Sequence, residues 1–317
     1  MRNLLLTMFL LLSSYSTYAC YDQRLSSKAN FDNCLVNAQQ GSSIAQTFLG
    51  AMYYGGNGVT QDYKQALKWH RKAAAQGVPR AQYNLGMMYE NGSGVTQDYK
   101  QALKWYRKAA EQRFENAQFQ LGRMYDDGDG VAQDYKQAFK WYRKAAESEF
   151  ALAQFYLGIM YEVGKGVTQD YKQALKWYRK AAERGVPRAQ HNLALMYYGG
   201  KGVTQDYKQA LKWSRKAAEQ GNARAQHNLG FMYDNGEGVT QDYKQALKWY
   251  RKSAEQGFYN AQFYLALMYL NGKGVTQDYK QALKWSRKAA EQGYADAQFN
   301  LALMYYGGKG VTQDYKQ

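Results

Sequence analysis

The chain has 317 residues, 16% of them aromatic, with 30 glycines, 2 prolines, 2 cysteines and a formal net charge of +16. Its one apolar run, near the N-terminus, is too short to span a bilayer, which excludes a bundle of membrane helices. Both cysteines fall before residue 35, which excludes a scaffold stapled by many disulfides.

The first segment, 1–19, reads as a signal peptide. Arg2 supplies a minimal positive region, Leu4 to Leu12 is apolar but for Thr7, and Thr17-Tyr18-Ala19 offers a small-x-small cleavage site. The mature chain is therefore expected to be exported, periplasmic or secreted, with no transmembrane segment. In that setting Cys20 and Cys34 are expected to pair. A bridge there closes a loop of about 15 residues and contributes up to ~3 kcal/mol in the chain-entropy model. A lipid anchor on Cys20 is the alternative, although Thr17 stands where a bacterial lipobox places Leu.

Residues 20–42 read as an N-terminal capping segment. Ser26 to Gln40 looks like a degenerate helix, with Phe31, Leu35 and Ala38 spaced to pack on the helix after it.

From residue 43 the chain repeats itself. Trp69, Trp105, Trp141, Trp177, Trp213, Trp249 and Trp285 stand in nearly identical text at a fixed spacing. Such a period means stacked units in which each buries its neighbour's apolar face. About seven full repeats and a truncated eighth fill 43–317. The eighth stops at Tyr315-Lys316-Gln317, where its second helix should begin; we expect an incomplete coding sequence, or an end that pairs with something else.

The unit starting at Ala81 shows the pattern. Ala81, Leu85 and Met88 share one face of a first helix, which Asn91-Gly92-Ser93-Gly94 ends, glycine supplying the left-handed stop. Asp98 reads as the N-cap of a second helix, with Gln101 completing a capping box. On that helix Tyr99, Ala102, Trp105, Tyr106 and Ala109 fall on one side, and Lys100, Lys104, Arg107 and Glu111 on the other. Gly77, Gly185, Gly221, Gly257 and Gly293 follow the second helices. Arg113 and Glu149 take that place in two repeats, marking those turns for a different geometry.

The strings A-Q-x-x-L-G-x-M-Y and G-x-G-V-x-Q-D-Y-x-x-A-x-x-W-x-x-K-A-A resemble the Sel1-like repeat family, a relative of tetratricopeptide repeats, over about Ser43 to Gln317. The resemblance implies an all-α fold: a right-handed α/α superhelical solenoid of antiparallel helix pairs with a 36-residue repeat. It also implies a role in protein–protein interaction, with the first helices lining the concave side. One branch, the cysteine-rich Sel1-like proteins, is associated with β-lactam binding and hydrolysis and carries a disulfide in each repeat. No repeat here contains Cys.

No nucleophile constellation for catalysis and no cofactor motif is present. Gly199 to Thr204 lacks the closing Gly-Lys-Ser/Thr of a phosphate loop and recurs as a helix-connecting turn. His70 takes the place of Tyr106, so it reads as a packed aromatic. His191 and His227, one repeat apart, are too distant for shared metal ligation. Lys64, Lys68 and Lys72 recur along the repeats as a positive band, which offers an anionic surface or glycan as a partner or serves as a solvated face. Nucleic acid is not expected for an exported chain.

Specificity has to lie where the copies differ. Position three of the first helix, such as Tyr83 or Phe119, reads as packing. Positions seven and ten read as partner-binding: Met87 and Glu90, Arg123 and Asp126, Ile159 and Glu162, Leu195 and Tyr198, Phe231 and Asp234, Leu267 and Leu270. The expected function is a non-catalytic protein–protein interaction scaffold of the bacterial periplasm or cell envelope, binding a protein or peptide. The alternatives are a weak β-lactam-binding or hydrolysing protein and an envelope protein held to anionic glycan.

Overall fold

Apolar residues at helical spacing, stopped by glycine pairs, produce helices of nearly constant length. A computed structural model describes residues 20–311, so the expected signal peptide lies outside the described residues. Among those residues there are sixteen helices and no strand. Helix α1 is Ser27–Gln39. The pairs follow as α2 and α3 (Ser43–Gly55, Tyr63–Ala75), α4 and α5 (Pro79–Asn91, Tyr99–Glu111), and α6 and α7 (Glu115–Asp127, Tyr135–Glu147). Next come α8 and α9 (Ala151–Val163, Tyr171–Glu183), α10 and α11 (Pro187–Gly199, Tyr207–Glu219), and α12 and α13 (Ala223–Asn235, Tyr243–Glu255). The last are α14 and α15 (Tyr259–Asn271, Tyr279–Glu291) and α16 (Ala295–Tyr306).

The helices divide into two units within α8: residues 20–153 with Lys165–Val167, and Gln154–Gly164 with residues 168–311. Each is a stack of helix pairs. In the first, Ala81, Leu85 and Met88 of α4 are fully buried with Ala66, Ala73 and Ala74 of α3. In the second, Ala189, Leu193 and Met196 of α10 bury against α9 and α11. Each large side chain buried this way is worth roughly 1.5–3 kcal/mol. Helix α1 places Phe31, Cys34 and Ala38 against Ala45, Leu49 and Met52 of α2, and a disulfide joins Cys20 to Cys34.

Two local expectations need correction. The capping box at α5 does not close. Asp98 accepts from the Gln101 N–H at 3.0 Å, but its own N–H is already bound to the Tyr89 carbonyl at 2.9 Å, so the Gln101 side chain has no donor to reach for. The turns at Arg113 and Glu149 keep the left-handed form of the rest. Both residues adopt the left-handed conformation, φ 64° and 65°, that glycine holds elsewhere. That conformation costs a side-chain-bearing residue about 1–2 kcal/mol, against about 0.5–1 kcal/mol for the chain freedom glycine gives up. Arg113→Gly is therefore expected to stabilise the chain by about 0.5–1 kcal/mol, read as a raised urea midpoint; an unchanged or lowered midpoint would count against strain at this turn.

Successive pairs are tied by polar contacts. Arg107 of α5 donates to the Tyr125 hydroxyl of α6 at 3.0 Å, as Arg179 does to Tyr197 and Arg251 to Tyr269. The second loop glycine brings backbones close: a Cβ on Gly94 (φ 71°) would lie 2.5 Å from the Tyr63 carbonyl of the preceding pair.

Candidate partner-binding face

The first helices show their variable positions on the side away from the Ala/Leu/Met stripe. Position three packs. Tyr83 lies 5.6 Å from the Tyr106 ring and Phe119 lies 5.6 Å from Tyr142. Position seven stays accessible. Met87, Arg123, Ile159, Phe231 and Leu267 are half-buried, and Leu195 is 44% exposed.

Position ten divides by chemistry. The Tyr106 hydroxyl donates to Glu90 Oε2, and Arg123 Nη2 reaches Glu90 Oε1 at 3.4 Å. Burial first and the Glu90 charge second hold the Tyr106 hydroxyl protonated far above its ordinary range. Tyr178 donates to Glu162 Oε2 at 2.6 Å. Lys165, from the next loop, binds Asp126 at 2.8 Å. The Tyr198 hydroxyl bonds Glu237 of the next loop; burial and that carboxylate push it up to about 12. Leu270 packs with Leu283 and Met304. The acids expected to read a partner are thus largely committed to their own chain. Asp234 is the exception: its buried Oδ1 has no hydrogen-bond partner.

The reason is a three-residue rule that sequence reading missed. Where the second helix carries Tyr106, Tyr142, Tyr178 or Tyr250, position six of the first helix is Gly86, Gly122, Gly158 or Gly230, and position ten is acidic. Where it carries Ser214 or Ser286, those positions are Ala194 and Ala266, with Tyr198 and Leu270. The steric part is explicit, since a Cβ on Gly86, Gly122, Gly158 or Gly230 would sit 2.5–2.8 Å from the facing tyrosine ring. Comparing copies position by position was the signal available for it.

The lysine band also has an internal partner. Lys176 and Lys180 lie 5.5 and 4.9 Å from the Trp177 ring centroid, and Lys248 and Lys252 repeat this on Trp249 at 5.5 and 4.9 Å. Cation–π contact of this kind stabilises by about 0.5–1 kcal/mol at exposed sites and offsets the like-charge spacing.

The three histidines are packed in. Burial, then the Arg80 charge, lowers His70 to about 3. His191 falls to about 4 through burial and the Arg224 charge, and burial lowers His227 as well. Among the described residues no three His, Cys, Asp or Glu side chains gather to hold a metal, and no helix is long and apolar enough to cross a membrane.

The Sel1 repeat model matches eight segments: 43–78, 79–114, 116–150, 151–186, 187–222, 223–258, 260–294 and 295–317. Among solved structures, the chain is similar to a protective antigen present in uropathogenic Escherichia coli strains displaying an SLR fold. They share 39% identity and a TM-score of 0.65 over 92% of this chain and 70% of that one. A Sel1 repeat protein from Oxalobacter formigenes shares 37% identity and a TM-score of 0.69 over 78% of this chain and 99% of that one. No curated protein matches the sequence. With eight copies of the motif covering nearly all of the chain from residue 43 onward, and helix pairs to match, this protein belongs to the Sel1 repeat family.

Proposed function

We propose that the chain is an exported, non-catalytic scaffold that binds a protein or peptide on the position-seven residues of the first helices of its second unit, with residues 20–42 capping the array. Sel1 repeats generally serve protein interaction. The observation that carries the reading for this chain is the contrast between positions. Position ten is mostly consumed by internal hydrogen bonds and packing, whereas in the second unit Leu195 remains exposed and Ile159, Phe231 and Leu267 remain half-buried. An apolar row rimmed by polar groups is the form protein interfaces take.

The test is site-specific photo-crosslinking. A benzoyl-phenylalanine at position 195 is expected to capture a discrete partner from cell-envelope extract, while the same group at Lys212 on α11 captures none. Equal capture at both sites would remove the assignment of the face. Nitrocefin turnover above a heat-denatured control would remove the non-catalytic reading.

A further inference from the structure

Of the pairs with a glycine and a tyrosine, α4 with α5 and α8 with α9 close a tyrosine–glutamate hydrogen bond that α12 with α13 does not. Asp234 stands where Glu90 and Glu162 stand, one methylene shorter, and the tyrosine opposite it is Tyr250. Tyr250 is 0% exposed, yet its hydroxyl has no hydrogen-bond partner, and neither does Asp234 Oδ1. A second acid joins them. Glu237, in the following loop, accepts from Tyr198 but leaves a buried Oε2 unpartnered. Asp234 holds the position from which Glu90 and Glu162 bond their tyrosines, and the Asp234 and Glu237 charges both bear on the Tyr250 hydroxyl. His227 packs beside Tyr250, its ring centroid 5.6 Å from Tyr250 and 5.4 Å from Tyr264, with Nε2 buried and unpartnered.

Four buried polar atoms without partners on α12, its following loop and α13 are uncommon, because each leaves desolvation uncompensated. The groups share a preference. Two carboxylates lie at the C-terminal end of α12, where the helix dipole is also negative, so the place favours a cation. A neutral histidine and a phenol oxygen can both accept from one. The first unit shows what fills the corresponding place there: the Lys165 ammonium, 2.8 Å from Asp126. Lys273 holds the equivalent loop position and its charge bears on Asp234, while its ammonium lies over the Tyr243 ring at 5.1 Å. Phe231, three residues before Asp234, and Tyr264, with ring centroids 6.1 Å apart, offer aromatic surface suited to an alkyl stem.

We propose that Asp234, Glu237, Tyr250 and His227 form a pocket for the ammonium or guanidinium group of a lysine or arginine side chain on the bound protein. This rests on the scaffold reading and deepens it: recognition combines an apolar contact along position seven with one basic anchor at α12. Lys273 is the internal competitor that occupies the neighbourhood when no partner is bound.

The chain contains only three histidines, so ¹³C-histidine labelling gives three resolved reporters, assigned by single substitutions. Mature protein at physiological salt is titrated with n-butylammonium, n-butylguanidinium and, as a neutral control, n-butanol. A saturable shift of the His227 signal is expected with one or both cations and not with butanol. The better cation identifies lysine or arginine as the anchor. Asp234→Asn with Glu237→Gln is expected to weaken binding at least tenfold, with unmoved His70 and His191 signals reporting an intact fold. Lys273→Ala is expected to tighten it severalfold. The proposal is overturned if His227 shows no saturable shift, if butanol matches the cations, or if the double variant binds as the parent does. Crosslinking from position 195 would stand in any of those cases, so failure of the pocket is distinguishable from failure of the scaffold.

Discussion

Gly86→Ala is expected to destabilise the chain by about 1–2 kcal/mol, although the same change inside an exposed helix stabilises. Alanine is better than glycine in a helix by about 0.8–1.0 kcal/mol. Against that, its methyl would lie 2.7 Å from Tyr106 Cδ1. The Tyr106 ring is fully buried and its hydroxyl is tied to Glu90, so it cannot slide away. Overpacking of this kind costs about 1–3 kcal/mol, which outweighs the propensity gain. Tyr106→Ser alone empties an aromatic volume and is expected to cost about 3–5 kcal/mol, by analogy with aromatic-to-alanine truncation. The double variant recreates the Ala194–Ser214 pair that the chain already uses between α10 and α11. It should be more stable than the sum of the single changes by at least ~1 kcal/mol, and adding Glu90→Leu, after Leu270, should recover more. Urea midpoints of the four proteins give the coupling energy. Additive losses would show that glycine and tyrosine are independent.

The second large effect is loss of stability in mild acid. His70 and His191 are held neutral, at about 3 and about 4, by burial foremost. In the unfolded chain each returns to about 6.5. A lowered folded value contributes stability that is complete above the unfolded value. It is lost as pH falls, because the unfolded chain then binds protons that the folded chain refuses. From pH 7.5 to 5.0 each buried histidine is expected to remove about 2 kcal/mol, and His227 shifts in the same direction. His70→Tyr tests the share of one residue. Tyrosine opposite Gly50 repeats the Gly86–Tyr106 arrangement, so the variant should fold and should lose less stability over that interval. Parallel pH dependence in parent and variant would refute the assignment.

How much was legible in the sequence depends on which contacts a linear reading can see. The helix pairs were legible because Ala81, Leu85 and Met88, and their counterparts in every copy, repeat one amphipathic pattern. The Asp98 cap was legible because its partner lies three residues away. The internal partners of Glu90, Tyr106 and Arg123, were not legible because they lie on other helices and no local pattern announces them. Glu237, Tyr250 and Tyr264 went unnoticed for a related reason. Each is ordinary at its own position, and only stacking brings them to Asp234. The Arg113 turn keeps its left-handed shape because the hydrogen bonds around it, including the Phe114 N–H to the Ala109 carbonyl, hold the backbone whatever the residue.

The two kinds of pairing respond differently to recombination. Near-identical text invites a gene to lose or gain whole 36-residue periods by unequal crossing-over. Gly86 and Tyr106 belong to one period, so they are inherited or discarded together unless the crossover falls between them. Tyr198 and Glu237 belong to neighbouring periods. A deletion of one period between them would set Tyr198 against Lys273 in place of a carboxylate acceptor. Length variants of this gene would therefore keep sound cores while reshuffling the polar contacts between repeats, so those contacts would change faster than the cores beneath them.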